Sequence, residues 1–274
     1  ASDAISIIAV NSQGFDSLLS NYASYFDGIN EIVSLTKGID HKSGLLFHER
    51  VEDILGKDKK YGLISGPSFA KDLSNRKKMV VSFASIDDHL SNTLLQTTKS
   101  SYFEMIHTPY LYHIEIAGII KNIAAILCGM ADNYFDKGTY TNKIIKKACD
   151  EAWKISHDKV VGLTELGSIS QSYLNNLNKE KENIITSPGY IGDMILTCKQ
   201  KQSRNYQFGN LISQSDICVE QAKNDIGTVE GYDCCISLVE NSLLRQGDLT
   251  NLLYDIIKFS SKEREELLKV FLQA

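Results

Sequence analysis

The sequence predicts an α/β part built on a mostly parallel sheet, followed by an all-helical part. Three observations carry this. Through the first hundred residues, near-continuous apolar runs rich in β-branched residues alternate with helix-like stretches, the pattern of strands buried on both faces and joined by crossover helices. Beyond about residue 110 the strand signal stops and the apolar residues take helical spacing. Only three prolines occur, Pro67, Pro109 and Pro188, which leaves room for long helices.

The strands are expected over residues 4–10 (AISIIAV), 31–36 (EIVSLT), 61–65 (YGLIS), 79–84 (MVVSFA) and 102–106. Helices are expected between them over 15–26, 43–55, 69–74 and 87–99, the last capped by Asp87 or Asp88. Right-handed βαβ crossovers then limit the topology. In the second part, 114–131 is apolar nearly all round and predicts a helix buried on several sides. Further helices are expected over 142–157, 203–213, 230–244, 249–259 and 262–272. The last begins behind Ser260 and Ser261, with Glu263, Glu265 and Glu266 in its first turn. The polar stretch 161–188 reads as a solvated loop or a short exposed helix. The expected domains are 1–110 and 111–274.

Composition narrows the function. Lys and Arg total 29 against 34 Asp and Glu, a net charge of −5, which argues against tracking a nucleic-acid backbone but permits a small anionic ligand held by chosen cations. The apolar run 116–131 is shorter than the roughly 20 residues a membrane span needs, and Lys121 and Asn122 interrupt it. No basic, then apolar, signal sequence opens the chain. The six cysteines form no C-x-x-C pair and no disulfide framework, so they read as reduced core thiols of a cytoplasmic protein. Zinc-ligand spacings are absent and no metal is expected. The six histidines, His107 and His113 near the junction included, receive no role.

An α/β part followed by helices suits a dinucleotide-dependent reductase, yet no G-x-G-x-x-G occurs in these 274 residues. Either the fold does not bind dinucleotide, or its opening βαβ unit lies upstream of Ala1. Local motifs separate the two. They are residues 9–13 (AVNSQ), Thr36-Lys37-Gly38, residues 65–70 (SGPSFA), residues 115–126 (EIAGIIKNIAAI), residues 189–209 (GYIGDMILTCKQKQSRNYQFG) and Val229-Glu230-Gly231. In order and spacing they resemble the bacterial-type NAD(P)-dependent glycerol-3-phosphate dehydrogenase family. The resemblance runs from within a Rossmann-like domain almost to the C-terminus. Asn11 stands where the family motif has proline, and the segment between Ala131 and Gly189 is longer than the family's.

Each candidate residue has a plain reading and one that the resemblance implies. Lys121, in a helix with apolar neighbours on its face, reads either as a snorkelling lysine or as a general base with a burial-lowered pKa. The resemblance implies the base, which takes the C2 hydroxyl proton of sn-glycerol 3-phosphate. Ser203, Arg204 and Asn205 read as a helix cap or as an anion site, and the protein has only five arginines. By resemblance they bind the substrate, with Arg204 also reaching the dinucleotide. Asp193 otherwise reads as a turn aspartate, and the resemblance makes it an acceptor for the substrate hydroxyl and a partner of Lys121. Lys37 follows a strand end, where ligands of open α/β sheets collect. The resemblance implies that it touches substrate and cofactor, that Gly66 and Ser68 touch substrate, and that Ala70, Thr228 and Glu230 touch cofactor.

The expected function is the interconversion of sn-glycerol 3-phosphate and dihydroxyacetone phosphate with NAD or NADP, feeding glycerophospholipid synthesis. The family suggests a homodimer. The alternative is a truncated, non-enzymatic homologue that does not bind dinucleotide by itself.

Overall fold

The computed structural model describes residues 4–214, 217–241 and 247–273. Five strands, β1 (Ile5–Ile8), β2 (Glu31–Ser34), β3 (Lys60–Ser65), β4 (Met79–Ala84) and β5 (Phe103–Thr108), form one sheet in the order β1-β2-β3-β4-β5. All neighbours run parallel except β3 and β4, which pair antiparallel through Leu63–Ala84 and Ser65–Ser82. The mostly parallel sheet is therefore present. Between its strands lie α1 (Ser12–Asn21), α2 (Phe47–Leu55), α3 (Ala70–Ser74) and α4 (Asp88–Thr98).

Side-chain alternation places the two faces of the sheet in different cores. Ile32 and Leu63 join Phe15 and Phe47 in the large core, whereas their neighbour Val33 packs with Phe83, Leu90 and Leu94 under α4. The first strand is shorter than expected, ending at Ile8, and the next element begins with Asn11 as its N-cap. The Asn11 side chain accepts from the Gly14 amide at 2.8 Å and caps α1. The asparagine that replaces the family's proline therefore starts a helix. Residues 23–26 form a separate 3₁₀ turn, so the helix expected over 15–26 is split. Asp87 caps α4 as anticipated, accepting from Leu90.

The helical part comprises α5 (Leu111–Tyr134), α6 (Thr141–Glu165), α7 (Gln171–Lys179), α8 (Lys181–Ile185), α9 (Asp193–Lys199), α10 (Arg204–Ile212), α11 (Val219–Ile226), α12 (Glu230–Asn241), α13 (Asp248–Ile256) and α14 (Ser261–Gln273). Positions 242–244 of the helix expected over 230–244 lie outside the described residues. Helix α5 is the axis, packed by α6, α9, α10 and α12. At 24 residues it is long and apolar enough to cross a bilayer, which corrects the length argument above, but it is enclosed by protein on nearly all sides. The stretch 161–188 is also corrected. Helix α6 extends into it, α7 and α8 follow, and Leu177 and Ile184 are buried against the large core. The six cysteines are free thiols, but Cys218 is exposed rather than in the core.

Candidate active site

A cavity of about 390 Å³ opens where the ends of β2 and β3 face α5, α9, α10 and the start of α12. Each wall is fixed by local hydrogen bonding. After β2, the Thr36 hydroxyl donates to the Val10 carbonyl at 2.6 Å and the Ser34 hydroxyl to the Thr36 carbonyl at 2.9 Å. This pins the turn that projects Lys37. After β3, the Ser68 hydroxyl donates to the Gly66 carbonyl at 3.1 Å and closes the next turn. Between α8 and α9, Pro188–Gly192 forms a π-helical turn that delivers Asp193 as the first residue of α9. That turn is tied to the sheet, for the Gly189 amide donates to Ser82 Oγ at 2.9 Å and Ser65 Oγ donates to the Gly189 carbonyl at 3.0 Å.

At the centre, Asp193 Oδ2 lies 2.7 Å from Lys37 Nζ and 2.9 Å from Lys121 Nζ. The three side chains are 5%, 14% and 13% exposed, so two ammonium groups and one carboxylate share a nearly dry pocket with a net positive charge. Burial pushes the Asp193 carboxyl up, but the two lysines outweigh it and hold it below the ordinary carboxylate range. Burial lowers Lys37 below the usual lysine value, with Asp193 opposing and Lys121 adding to the effect. Lys121 also donates to Thr197 Oγ1 at 3.3 Å, and the Thr197 hydroxyl donates to the Asp193 carbonyl one turn earlier at 2.7 Å. The apolar surroundings expected for the Lys121 ammonium are thus corrected: its head meets a carboxylate and a hydroxyl.

The opposite wall is the N-terminus of α10. Ser203 is the N-cap residue but makes no side-chain capping bond, which leaves its hydroxyl and the first amides of the helix available to an anion. Arg204 lines the cavity, is exposed, and has no hydrogen-bond or ion-pair partner among the described residues. Asn205 is differently employed. Its Nδ2 donates to Asn122 Oδ1 at 3.0 Å and its Oδ1 accepts from the Gly231 amide at 2.9 Å, tying α10 to α5 and α12. Asn122 in turn donates to Glu230 Oε2 at 3.4 Å. Helix α10 reaches this position because Gly209 has no side chain: a Cβ there would fall 1.9 Å from the Ile126 carbonyl oxygen of α5.

Lys37, Gly66, Ser68, Lys121, Asp193, Ser203, Arg204, Asn205, Thr228 and Glu230 all line this one cavity. Ala70 does not. It begins α3 and is exposed, while Phe69 before it reaches the wall. Ser65 and Thr197 were missed by sequence reasoning, although Ser65 opens the SGPSFA motif and Thr197 follows Asp193 at helical i+4 spacing. A second cleft of about 430 Å³, between the β5 end and α7–α8, gathers no comparable charged set.

A mostly parallel sheet whose strand ends open onto a charged cleft against a helical bundle is the two-part architecture of Rossmann-like dehydrogenases. Residues 1–91 match the profile described as the NAD-dependent glycerol-3-phosphate dehydrogenase N-terminus, and residues 111–268 match that of its C-terminus. The chain belongs to the NAD-dependent glycerol-3-phosphate dehydrogenase family. It is 28% identical over 229 residues to "Glycerol-3-phosphate dehydrogenase [NAD(P)+]" of Beijerinckia indica, covering 84% of this chain and 62% of that relative. Against the protein of the same description from Wigglesworthia glossinidia brevipalpis it is 27% identical over 275 residues, covering 97% of this chain and 76% of the other. The chain therefore spans less than two thirds of the Beijerinckia relative's length. In fold it is similar to the crystal structure of glycerol-3-phosphate dehydrogenase from Coxiella burnetii, with a TM-score of 0.78 and 23% identity over 96% of this chain and 76% of that one.

Proposed function

We propose that the protein interconverts sn-glycerol 3-phosphate and dihydroxyacetone phosphate with NAD or NADP, and so feeds glycerophospholipid synthesis. The observation that carries this is the Lys37–Asp193–Lys121 cluster facing the N-terminus of α10 across one small cavity. A phosphorylated three-carbon hydroxyketone needs a phosphate clamp at one end and a proton carrier at the other. Arg204, with a guanidinium fork that matches phosphate oxygens, Ser203 and the α10 amides form the clamp. Lys121 takes the proton from the C2 hydroxyl in one direction and returns it to the C2 oxygen in the other. Asp193 accepts from the substrate hydroxyls and orients Lys121, while Lys37 adds positive charge beside the reacting oxygen. Asn205 and Asn122 hold α10 at its distance from α5.

The donor set also fits a nicotinamide dinucleotide. Leu35 and Ile64 at the strand ends offer apolar surface for a flat ring, and Arg204, Thr228 and Glu230 offer polar groups beside it. When bound, the dinucleotide supplies and accepts the hydride. The proposal includes residues 1–110 and 111–274 as the two domains that meet at the cavity, a cytoplasmic setting, which the six free thiols support, and a homodimer. The test is dinucleotide oxidation by the purified protein with dihydroxyacetone phosphate and, separately, with unphosphorylated dihydroxyacetone. Turnover that depends on the phosphate is expected. No turnover, or equal turnover of both ketones, overturns the reading.

A further inference from the structure

We propose that Gly118 is a positioning residue: the missing side chain is what lets Lys37 cross α5 and reach Asp193. The inference rests on the dehydrogenase reading only for its kinetic consequence. Lys37 leaves the turn after β2, and its ammonium meets a carboxylate on α9, so its stem must pass over α5. Gly118 lies on α5 three residues before Lys121, on the same helix face. A Cβ at Gly118 would stand 2.9 Å from Lys37 Cδ, 3.1 Å from Cγ and 3.2 Å from Cβ. Three consecutive carbons of the lysine stem therefore lie flat on bare helix backbone.

The stem has no slack with which to yield. Its tip is held 2.7 Å from Asp193 Oδ2, its base is set by the pinned Thr36 turn, and the side chain is 14% exposed. Adding one methyl group at position 118 lifts the stem and draws the ammonium away from the oxygen it shares with Lys121. Glycine is the poorest helix former after proline, and here it sits in the interior of a long buried helix. Without the lysine, alanine would serve better at that position. Gly118 therefore gives up helix stability for the placement of a charge.

The test is a thermal and kinetic cycle with the full chain. Gly118→Ala is expected to lower kcat for dihydroxyacetone phosphate by about ten- to a hundredfold, the scale of a misplacement near 1 Å, with the KM for dinucleotide changed less than about twofold. Its melting temperature is expected to stay level or fall. In a Lys37→Ala background, where the stem is gone, the same substitution is expected to raise the melting temperature by about 2–4 °C through helix propensity alone. In a Lys37→Met background, which keeps the stem without its charge, Gly118→Ala is expected to give no gain, showing that the stem and not the ammonium is obstructed. An equal rise in all three backgrounds, or unchanged kcat, overturns the proposal. The thermal arms need no turnover. A protein that shows the change of sign but does not reduce dihydroxyacetone phosphate would therefore refute the function proposed above and leave the positioning of Lys37 standing.

Discussion

Asp193 Oδ2 lies 2.9 Å from Lys121 Nζ, although the two residues come from helices α9 and α5, and the same oxygen is 2.7 Å from Lys37. One carboxylate thus sets the position of both ammonium groups in the cavity. Asp193→Asn keeps the shape and removes the charge. Breaking a buried pair by removing one partner costs about 3–5 kcal/mol. The lysine heads border a cavity and can find water, so a loss of about 2–3 kcal/mol is expected here in urea unfolding, with kcat reduced at least a hundredfold. A variant of unchanged stability and turnover would show that the carboxylate does not organise the site.

Arg204 tests the anion clamp separately from the fold. It is exposed and unpartnered among the described residues, so Arg204→Gln is expected to change stability by less than about 0.5 kcal/mol. The KM for dihydroxyacetone phosphate should rise about ten- to a hundredfold, the worth of a charge-assisted hydrogen bond to phosphate. With dinucleotide saturating, so that its own contact to Arg204 is compensated, steady-state kinetics with unphosphorylated ketone should be nearly unaffected. Equal losses on both substrates would place Arg204 elsewhere in the reaction.

Gly209 holds the two sides of the cavity together. The Cβ of Gly209→Ala would overlap the Ile126 carbonyl, and backbone cannot swing aside as a side chain can. Overpacking of this kind costs about 1–3 kcal/mol. Calorimetric melting should register that loss, and the bond between Asn205 and Asn122 should weaken with it, lowering turnover. A stabilised variant would contradict the close helix crossing.

His113 makes stability depend on pH. It is fully buried against Trp153, the one tryptophan of the protein, with a ring separation of 4.8 Å. Neither of its ring nitrogens has a hydrogen-bond partner among the described residues. Burial, with a smaller contribution from His157, pushes its pKa down to about 3. The unfolded chain protonates this imidazole near pH 6.5 while the folded chain does not, so the unfolded state binds more protons between about pH 6.5 and 3. Stability is fully present above that window and is lost as pH falls through it. His48 acts in the opposite sense. Burial lowers its pKa, but the Glu115 carboxylate outweighs burial and raises it, so its contribution is lost as pH rises. The difference between His113→Phe and the natural protein isolates the first effect. Between pH 7 and 5 the variant should lose about 2 kcal/mol less stability, followed by Trp153 fluorescence in urea. Parallel profiles would refute the assignment.

Much of this was legible in the sequence, for physical reasons that differ from one element to the next. The central strands β2, β3 and β4 were visible because their burial leaves nearly unbroken apolar runs such as MVVSFA. Helices α7 and α8 were hidden because Leu177 and Ile184 are their only fully buried side chains, set within a long polar stretch and backed by the partly buried Tyr173, Leu174 and Ile185. The family motifs led to ten of the cavity-lining residues, since spacing along the chain encodes which turns face the cleft. They did not reveal Ser65 or Thr197, whose roles arise from partners in space: Ser65 holds a turn 124 residues away. The apolar setting inferred for Lys121 failed because periodicity describes the helix face and not the carboxylate that another helix brings to it. Ala70 is the one candidate that does not line the cavity, since α3 starts at that residue, one position beyond Phe69.

Steady-state reduction of dihydroxyacetone phosphate by Lys121→Ala, paired with calorimetric binding of inorganic phosphate to the same variant, bears most directly on the claim that this cavity is the catalytic site. The proton carrier should be lost and the clamp retained: kcat falls by about 10²–10⁴, the usual worth of a positioned general acid or base, while phosphate affinity stays within about threefold. Turnover close to that of the natural protein would contradict the account.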